Sequence, residues 1–307
     1  MIIIVRKRRL SPMEVEKILE EIKKVCKAPT KYFLGCVKDE NGIPIPFTLT
    51  SVNVSGDKII FQTPTSLPAS SLIRKMPEVS ISLIDIESIW KWQDPKGFQV
   101  KGLAKQTDGE FTLEIFEIYD VLPKPGIDLN VPIYRKKLIW IETKFYTKFE
   151  FDRNIKEVSL NIFNEVKGFM ENLQSKGFPS FILTIDPLNG ITNISPRWIV
   201  KMDTKFWVFG DGTRHKTQLN AEKPCPVSVV FLDTVILNGY ATVGWLETSS
   251  DTKLKSEVEG FWKMKGIDVP AIRVNLFHPE EIYKFSRVGW TKLWEGRQRS
   301  QWLKLSK

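Results

Sequence analysis

Residues 211–230 read DGTRHKTQLNAEKPCPVSVV, and each part of that stretch has a local structural meaning. It leaves an aromatic strand, KFWVF at 205–209, through Asp211-Gly212. Thr213, Arg214, Lys216 and Thr217 then make a basic, hydroxyl-rich turn. A short amphipathic helix follows, ending near Lys223-Pro224, and the β-branched run at 227–231 reads as a buried strand. Two cations and two hydroxyls between a strand and a helix start suit a dianionic phosphate, where charge-assisted bonds and backbone donors add up. Cations at a helix start oppose the helix dipole, so Arg214 and Lys216 call for either a bound anion or open solvent.

A related pattern lies earlier in the chain. Gly42 matches Gly190 and Val79-Ser80 matches Val227-Ser228, both 148 residues apart. Ile60-Phe61 matches Trp207-Val208 and Met76-Pro77 matches Lys223-Pro224 at 147, and Gly102 matches Gly244 at 142. A near-constant offset marks an internal duplication. The copies differ where it matters: Lys216 stands eight residues before Pro224, whereas Ala69 stands eight before Pro77. The loop before Ala69 has hydroxyls and no cation, so one anion site per chain is expected, in the second copy.

Each copy opens with a long helix. Ser11-Pro12-Met13-Glu14 is a capping box with proline in the first turn, and Val15, Ile18, Leu19, Ile22 and Val25 share one face. Asn154 with Glu157 reads as the second cap, and Gly177 as that helix's end. Short strands separated by turns follow in each copy. Single strands are expected at 47–54 and 197–202, a long hairpin at 87–97, a strand or short helix at 111–121, and a strand at 137–145. Six or so antiparallel strands plus helices per copy predict a mainly β, α+β chain of two small barrels, 1–149 and 150–307.

Composition narrows the partners. The net charge of +9 fits a phosphorylated ligand, nucleic acid, a membrane surface or a solvated exterior. No apolar run approaches the roughly 20 residues that span a bilayer. The apolar start Met1–Val5 precedes the cations of 6–9, the reverse of a secretory signal, so a soluble cytoplasmic chain is expected. Three cysteines without a CxxC pair suit a reducing compartment, and two histidines leave zinc an unusual ligand set. The C-terminal stretch mixes cations with Trp290, Trp294 and Trp302. That is the composition of a nucleic-acid surface, but packing of a terminal segment against the other barrel is the preferred reading.

In element order each copy resembles the split β-barrel of the pyridoxamine 5′-phosphate oxidase-like, FMN-binding proteins. The specific part of the resemblance is Thr213-Arg214-His215-Lys216-Thr217-Gln218-Leu219, followed by Lys223-Pro224 and the strand at 227–230, with Ser195-Pro196-Arg197-Trp198 on the preceding strand. The resemblance implies that two barrels pack as an intrachain pseudo-dimer with FMN in the cleft between them. It implies cofactor contacts from Arg197, Trp198, Thr213, Arg214, Lys216 and Thr217. Trp90, Trp92, Gln93 and Gln99 would form the opposite wall. Arg287, Arg297 and Arg299 do not match the family's C-terminal substrate motif, so vitamin B6 oxidation is not implied.

The function expected is an FMN-dependent oxidoreductase acting with a small-molecule substrate or electron donor. The alternative is a non-catalytic holder of flavin, deazaflavin or haem. No paired acid and base stands out, as suits chemistry carried by a flavin. The chain is expected to act as a monomeric pseudo-dimer or a homodimer.

Overall fold

The structure is a computed structural model describing residues 12–63, 69–91, 96–122, 131–136, 148–187, 190–212, 216–233, 236–286 and 289–306. The first half runs α1 (Pro12–Lys27), β1 (Lys31–Lys38), β2 (Pro44–Thr48), β3 (Ser51–Ser55), β4 (Lys58–Gln62), α2 (Ala69–Lys75), β5 (Glu78–Asp85), α3 (Ile86–Lys91), β6 (Gly97–Thr107), β7 (Glu110–Asp120) and β8 (Tyr134–Arg135). Next come β9 (Lys148–Phe151), α4 (Leu160–Ser175), β10 (Ser180–Ile185), β11 (Thr192–Arg197), β12 (Ile199–Met202), β13 (Trp207–Asp211), α5 (Lys216–Asn220), β14 (Cys225–Asp233) and β15 (Asn238–Ser249). The chain closes with α6 (Thr252–Met264), β16 (Arg273–Ser286), β17 (Gly289–Glu295), α7 (Arg299–Trp302) and β18 (Leu303–Ser306).

The two large sheets have one topology. The first is ordered β2-β1-β5-β6-β7-β4-β3, the second β11-β10-β14-β15-β16-β13-β12, and β8 and β17 pair with the equivalent strands β7 and β16. In each sheet the two edge strands are consecutive in sequence. β2 and β3 are joined by Leu49-Thr50, and β11 and β12 by Trp198 alone. So short a link can connect opposite edges only if the sheet curls until they meet, which makes each copy a split barrel. The strands expected at 47–54 and 197–202 therefore each break in two, where the chain passes from one edge to the other.

Register confirms the duplication and corrects two of its anchors. Val79 pairs with Gly102 as Val227 pairs with Gly244, and each sheet has a bulge at that glycine. A Cβ at Gly102 or Gly244 would collide with the carbonyl oxygen of Glu114 or His278 across the ladder. Gly42 and Gly190 turn the first hairpin of each copy with φ of 72° and 69°, where a Cβ is strained. Ile59 pairs with Leu113 as Trp207 pairs with Phe277, so Phe61 matches Phe209 at 148 rather than Val208 at 147. Burial along α2 and α5 also fits 148, setting Ala69 beside Thr217, Ile73 beside Ala221 and Met76 beside Pro224. The register counterpart of Lys216 is thus Pro68, which is no cation either.

Each barrel has its own core. In the first, Leu19, Ile22 and Val25 of α1 pack with Phe47, Phe61, Ile81 and Leu113; in the second, Val166, Met170 and Leu173 of α4 pack with Trp207, Phe231 and Phe277. The second helix starts five residues later than Asn154 predicts, with Ser159 at the cap. Residues 152–158 are drawn elsewhere: Asn154 N–H donates to Asp152, Val158 N–H donates to the Thr204 carbonyl, and Ile155 packs beside Trp245 and Trp302. Gly177 follows that helix, as expected. The 87–97 hairpin contains α3, and 110–120 is strand. Ser11 and the strand expected at 137–145 lie outside the described residues.

The barrels join through the sheet faces of β1, β5, β10 and β14. Tyr32 stacks on Phe181 with ring centroids 4.4 Å apart, and Leu34, Cys36, Leu183, Ile194 and Val230 fill the seam. Two hydrogen bonds cross it reciprocally. Ser80 Oγ donates to the Thr192 carbonyl at 2.6 Å, and Ser228 Oγ donates to the Pro44 carbonyl at 2.5 Å. Ser80 and Ser228 are equivalent, as are Pro44 and Thr192, so residue i of one copy meets j of the other and the reverse, the mark of a two-fold contact. The chain is two tandem split barrels packed as an intrachain pseudo-dimer. The C-terminal segment returns to the first half: Trp302 is buried beside Ile43, and Arg299 pairs with Asp39. No helix among the described residues is long and apolar enough to cross a membrane.

Candidate functional site

A buried polar network in the second barrel takes in Thr217, which ends the basic stretch in sequence. Asn193 on β11 donates to Thr217 Oγ1 of α5 at 2.9 Å, and Asn220 donates to Thr184 Oγ1 of β10 at 3.0 Å. Arg197, at the end of β11, donates from Nε to Asp211 Oδ1 at 3.0 Å, while Asn275 Nδ2 donates to Asp211 Oδ2 at 2.9 Å. Burial pulls the Arg197 guanidinium down from its ordinary pKa, and the charge and hydrogen bond of Asp211 work against that. Arg273 fixes α5 from its far end, donating to the carbonyls of Gln218 and Ala221. These bonds give each of the buried groups at least one partner.

Four of the six expected cofactor residues can be placed at least in part. Arg197 and Thr217 belong to the network. Trp198 makes the edge-to-edge link of the barrel and is half-buried, with Lys265 Nζ 5.6 Å from its ring centroid. Lys216 opens α5, but its side chain lies outside the described residues, as do Thr213, Arg214 and His215. Of the opposite wall, Trp92, Gln93 and the Trp90 side chain also lie outside. Gln99 is in place: it is buried in the first barrel and donates across the seam to the Ile194 carbonyl at 3.2 Å. Trp245 is a core residue, stacked on His278 at 4.2 Å and on Phe151 at 5.4 Å.

The sequence reading missed Lys101 and a repeated triplet. Glu117-Ile118-Tyr119 of β7 recurs as Glu281-Ile282-Tyr283 of β16, 164 residues on. In both, the tyrosine hydroxyl donates to the glutamate two residues before it, and an arginine closes on that glutamate: Arg135 on Glu117 at 2.5 Å, Arg299 on Glu281 at 2.6 Å. Burial pushes Glu281 up, yet the bonds and charge of Arg299 outweigh it and hold the carboxyl below its ordinary value. Burial and the Glu281 bond push Tyr283 up to about 12. Helix α6, absent from the first copy, shifts the offset from 142 to 164 between β15 and β16, which hid the triplet. Lys101 lies between the strands that carry Ser80 and Glu117, paired with both across the ladders, and is 1% exposed. Its Nζ sits 4.9 Å from the Tyr119 ring centroid. Its counterpart in the second copy is Val243.

The pseudo-two-fold generates two clefts between the barrels. One is an open cavity of ≈ 340 Å³ walled by Ile45 and Leu72 of the first barrel and Val243, Tyr283 and Trp290 of the second. The positions that the two-fold assigns to its symmetry mate are Asn193 and Asn220 of the second barrel and Lys101 and Tyr119 of the first. The mate thus combines amides, a hydroxyl and a buried ammonium, the donor types that hold a phosphorylated ligand.

Comparison with known proteins places similar chains among solved structures only. No family model and no curated protein matches the sequence. The chain is similar to HupZ of Group A Streptococcus at 23% identity and TM-score 0.35, over 40% of this chain and 93% of that one. It is also similar to a protein related to general stress protein 26, of the pyridoxinephosphate oxidase family, from Clostridium acetobutylicum. That likeness has 19% identity and TM-score 0.36 over 44% of this chain and 96% of that one. An FMN-binding protein from Syntrophomonas wolfei matches at 15% identity and TM-score 0.29, over 41% of this chain and 91% of that one.

Proposed function

We propose that the chain is a cytoplasmic flavoprotein that holds one FMN in the inter-barrel cleft on the second barrel's side. The carrying observation is the buried polar network of Asn193, Thr217, Asn220 and Thr184, which takes in the end of the basic stretch in sequence; the two-fold assigns the buried Lys101 of the other barrel to the same cleft. Thr213, Arg214, Lys216 and Thr217 grip the phosphate. Thr217 accepts from Asn193 and keeps its own hydroxyl proton to donate. Arg197 shares its charge with Asp211, so it braces the network and adds less countercharge than Arg214 and Lys216. Gln99, Lys101 and Trp198 border the ligand. Three unpaired, buried cysteines fit a reducing compartment.

Bound flavin supplies hydride or electron transfer, and this makes the chain an FMN-dependent oxidoreductase. The protein's share is to orient the ring, shield it from water and set the local charge. The test is retention of flavin on purification. Arg214→Ala with Lys216→Ala is expected to release the yellow cofactor while the folded spectrum stays. A double variant as yellow as wild type would sink the phosphate assignment. Reduction by NAD(P)H with reoxidation by an acceptor marks an oxidoreductase; flavin bound without turnover marks a carrier.

A further inference from the structure

We propose that the other cleft, on the first barrel's side, is a second ligand site for an uncharged planar aromatic molecule bearing an N–H or O–H donor and no phosphate. The inference does not depend on flavin binding at the mate. The cavity of ≈ 340 Å³ lies in the size range of small-molecule sites, a few hundred Å³ upward. Ile45, Leu72, Val243 and Trp290 give it an apolar lining beside the polar groups of Asp39, Asn41 and Arg299. In the mate, the first three positions are Asn193, Asn220 and Lys101. Duplication has thus turned a donor-rich cleft and an apolar one out of the same backbone.

Charge excludes a phosphate here. The cation in the lining, Arg299, is 2.7 Å from Asp39 Oδ2 and 2.6 Å from Glu281 Oε1. Nearby, Lys292 is 3.8 Å from Glu281, and Lys75 is 3.0 Å from Glu40 at the rim. An incoming anion would have to displace one of these carboxylates and leave it desolvated. A donor meets the opposite situation. Asp39 Oδ1 accepts from the backbone N–H groups of Asn41 and Ile43 at 2.9 Å each, and Oδ2 accepts from Arg299, so an ionised carboxylate keeps an acceptor site to spare. Ser71 and the Asn41 amide add acceptors at the mouth. A planar ring between Leu72 and Trp290, with its donor toward Asp39, satisfies the cleft; a carboxylate or phosphate does not.

The experiment is calorimetric titration of the full chain with indole and, separately, with indole-3-acetate. Indole is expected to bind saturably at one site, and the acid at least ten-fold more weakly. Ser71→Trp, on the exposed face of α2 at the cavity mouth, is expected to abolish indole binding. Leu72→Ala, which removes one wall, is expected to weaken it several-fold. Flavin content is expected to be unchanged in both variants, so failure of this site and failure of the flavin site read out separately. Indole that does not bind, an acid that binds as tightly as indole, or indole binding unchanged in Leu72→Ala overturns the proposal.

Discussion

Position for position, the two barrels differ in polarity along the clefts where the ligand sites are proposed. Asn193 and Thr217 of the second stand where the first has Ile45 and Ala69. Thr184 and Asn220 stand where it has Val37 and Leu72. Arg197, Asp211 and Asn275 replace Leu49, Thr63 and Phe111. Ala69, Val37, Leu49 and Phe111 are buried, as are their polar counterparts apart from the half-buried Arg197. A buried polar network is tolerable only when it is satisfied throughout, so its members change together or not at all. The first copy is apolar at six of these seven positions and keeps a hydroxyl, Thr63, at the seventh. The Ser80 and Ser228 bonds show the contrary: both copies keep what joins the barrels. Duplication has kept this reciprocal pair at the interface while the cleft positions diverged.

The largest expected effect concerns a second divergence, at the tail. Glu280 is fully buried and holds Arg297 through two bonds, one from Nε at 3.1 Å. Arg297 also reaches the Asp152 carbonyl at 3.1 Å and its carboxylate at 3.2 Å, tying the last residues to β9. The first copy has Phe116 where the second has Glu280. Arg297→Ala should cost about 3–5 kcal/mol in chemical denaturation, because it strands a buried carboxylate. Replacing both partners, Glu280→Phe with Arg297→Met, should recover most of that, since an apolar pair of similar size replaces an ion pair at little net cost. If the single variant is as stable as wild type, the pair is an ornament of the tail and the two copies do not differ energetically here.

A smaller effect separates the clefts themselves. Lys101 on one wall and Val243 on the other are the clearest single exchange across the two-fold. Lys101→Met keeps the buried stem and removes the charge. On the proposed function it should weaken flavin binding about ten-fold, or about 1.4 kcal/mol. Val243→Met, the matched change in the mate, should leave flavin affinity as it was. Equal affinities in the two variants would break the assignment of the flavin to the Lys101 side.

Much of this was legible in the residues. Turn glycines and the bulge glycine repeat because backbone geometry permits little else there, and so they carry the duplication in plain sight. The α1 face is readable because a helix against a curled sheet must bury one stripe. The α4 start was misread because Asn154 and Glu157 satisfy local capping chemistry while packing near Trp302 pulls that segment straight. The split of 197–202 was hidden because a strand crossing from one barrel edge to the other leaves no break in hydrophobicity. Arg197 and Thr217, expected from the resemblance and the hydroxyl-rich turn, both fall in buried polar pairings of the second barrel. Lys101, Asn193 and Asn220 were not expected, because a site residue on a neighbouring strand or another barrel leaves no local motif.

The smallest effect falls on His278, which stands where the first copy has the half-buried Glu114. His278 is buried against Trp245; Nε2 lies 3.1 Å from Glu247 Oε1 and Nδ1 3.3 Å from the Lys205 carbonyl. Burial pulls its pKa below the usual 6.5, and the Glu247 bond only partly restores it. The folded chain therefore holds the ring neutral at a pH where the unfolded chain has already taken up a proton. Stability must fall as pH drops below about 6.5 toward the folded value, by at most about 1.4 kcal/mol per pH unit from this one group. His278→Gln keeps a polar side chain and removes the titration. Denaturation midpoints between about pH 7 and pH 5 should decline less steeply in that variant than in wild type. Buried carboxylates such as Glu280, pushed up by burial, titrate in both proteins and cancel in the difference. Glu114→Gln, the matched change on the surface of the first barrel, should not alter the slope in this window, since Lys136 holds that carboxyl below its ordinary value. Parallel slopes in wild type and His278→Gln would mean that the ring is charged in the folded chain, and that the second copy's buried row carries a cation here.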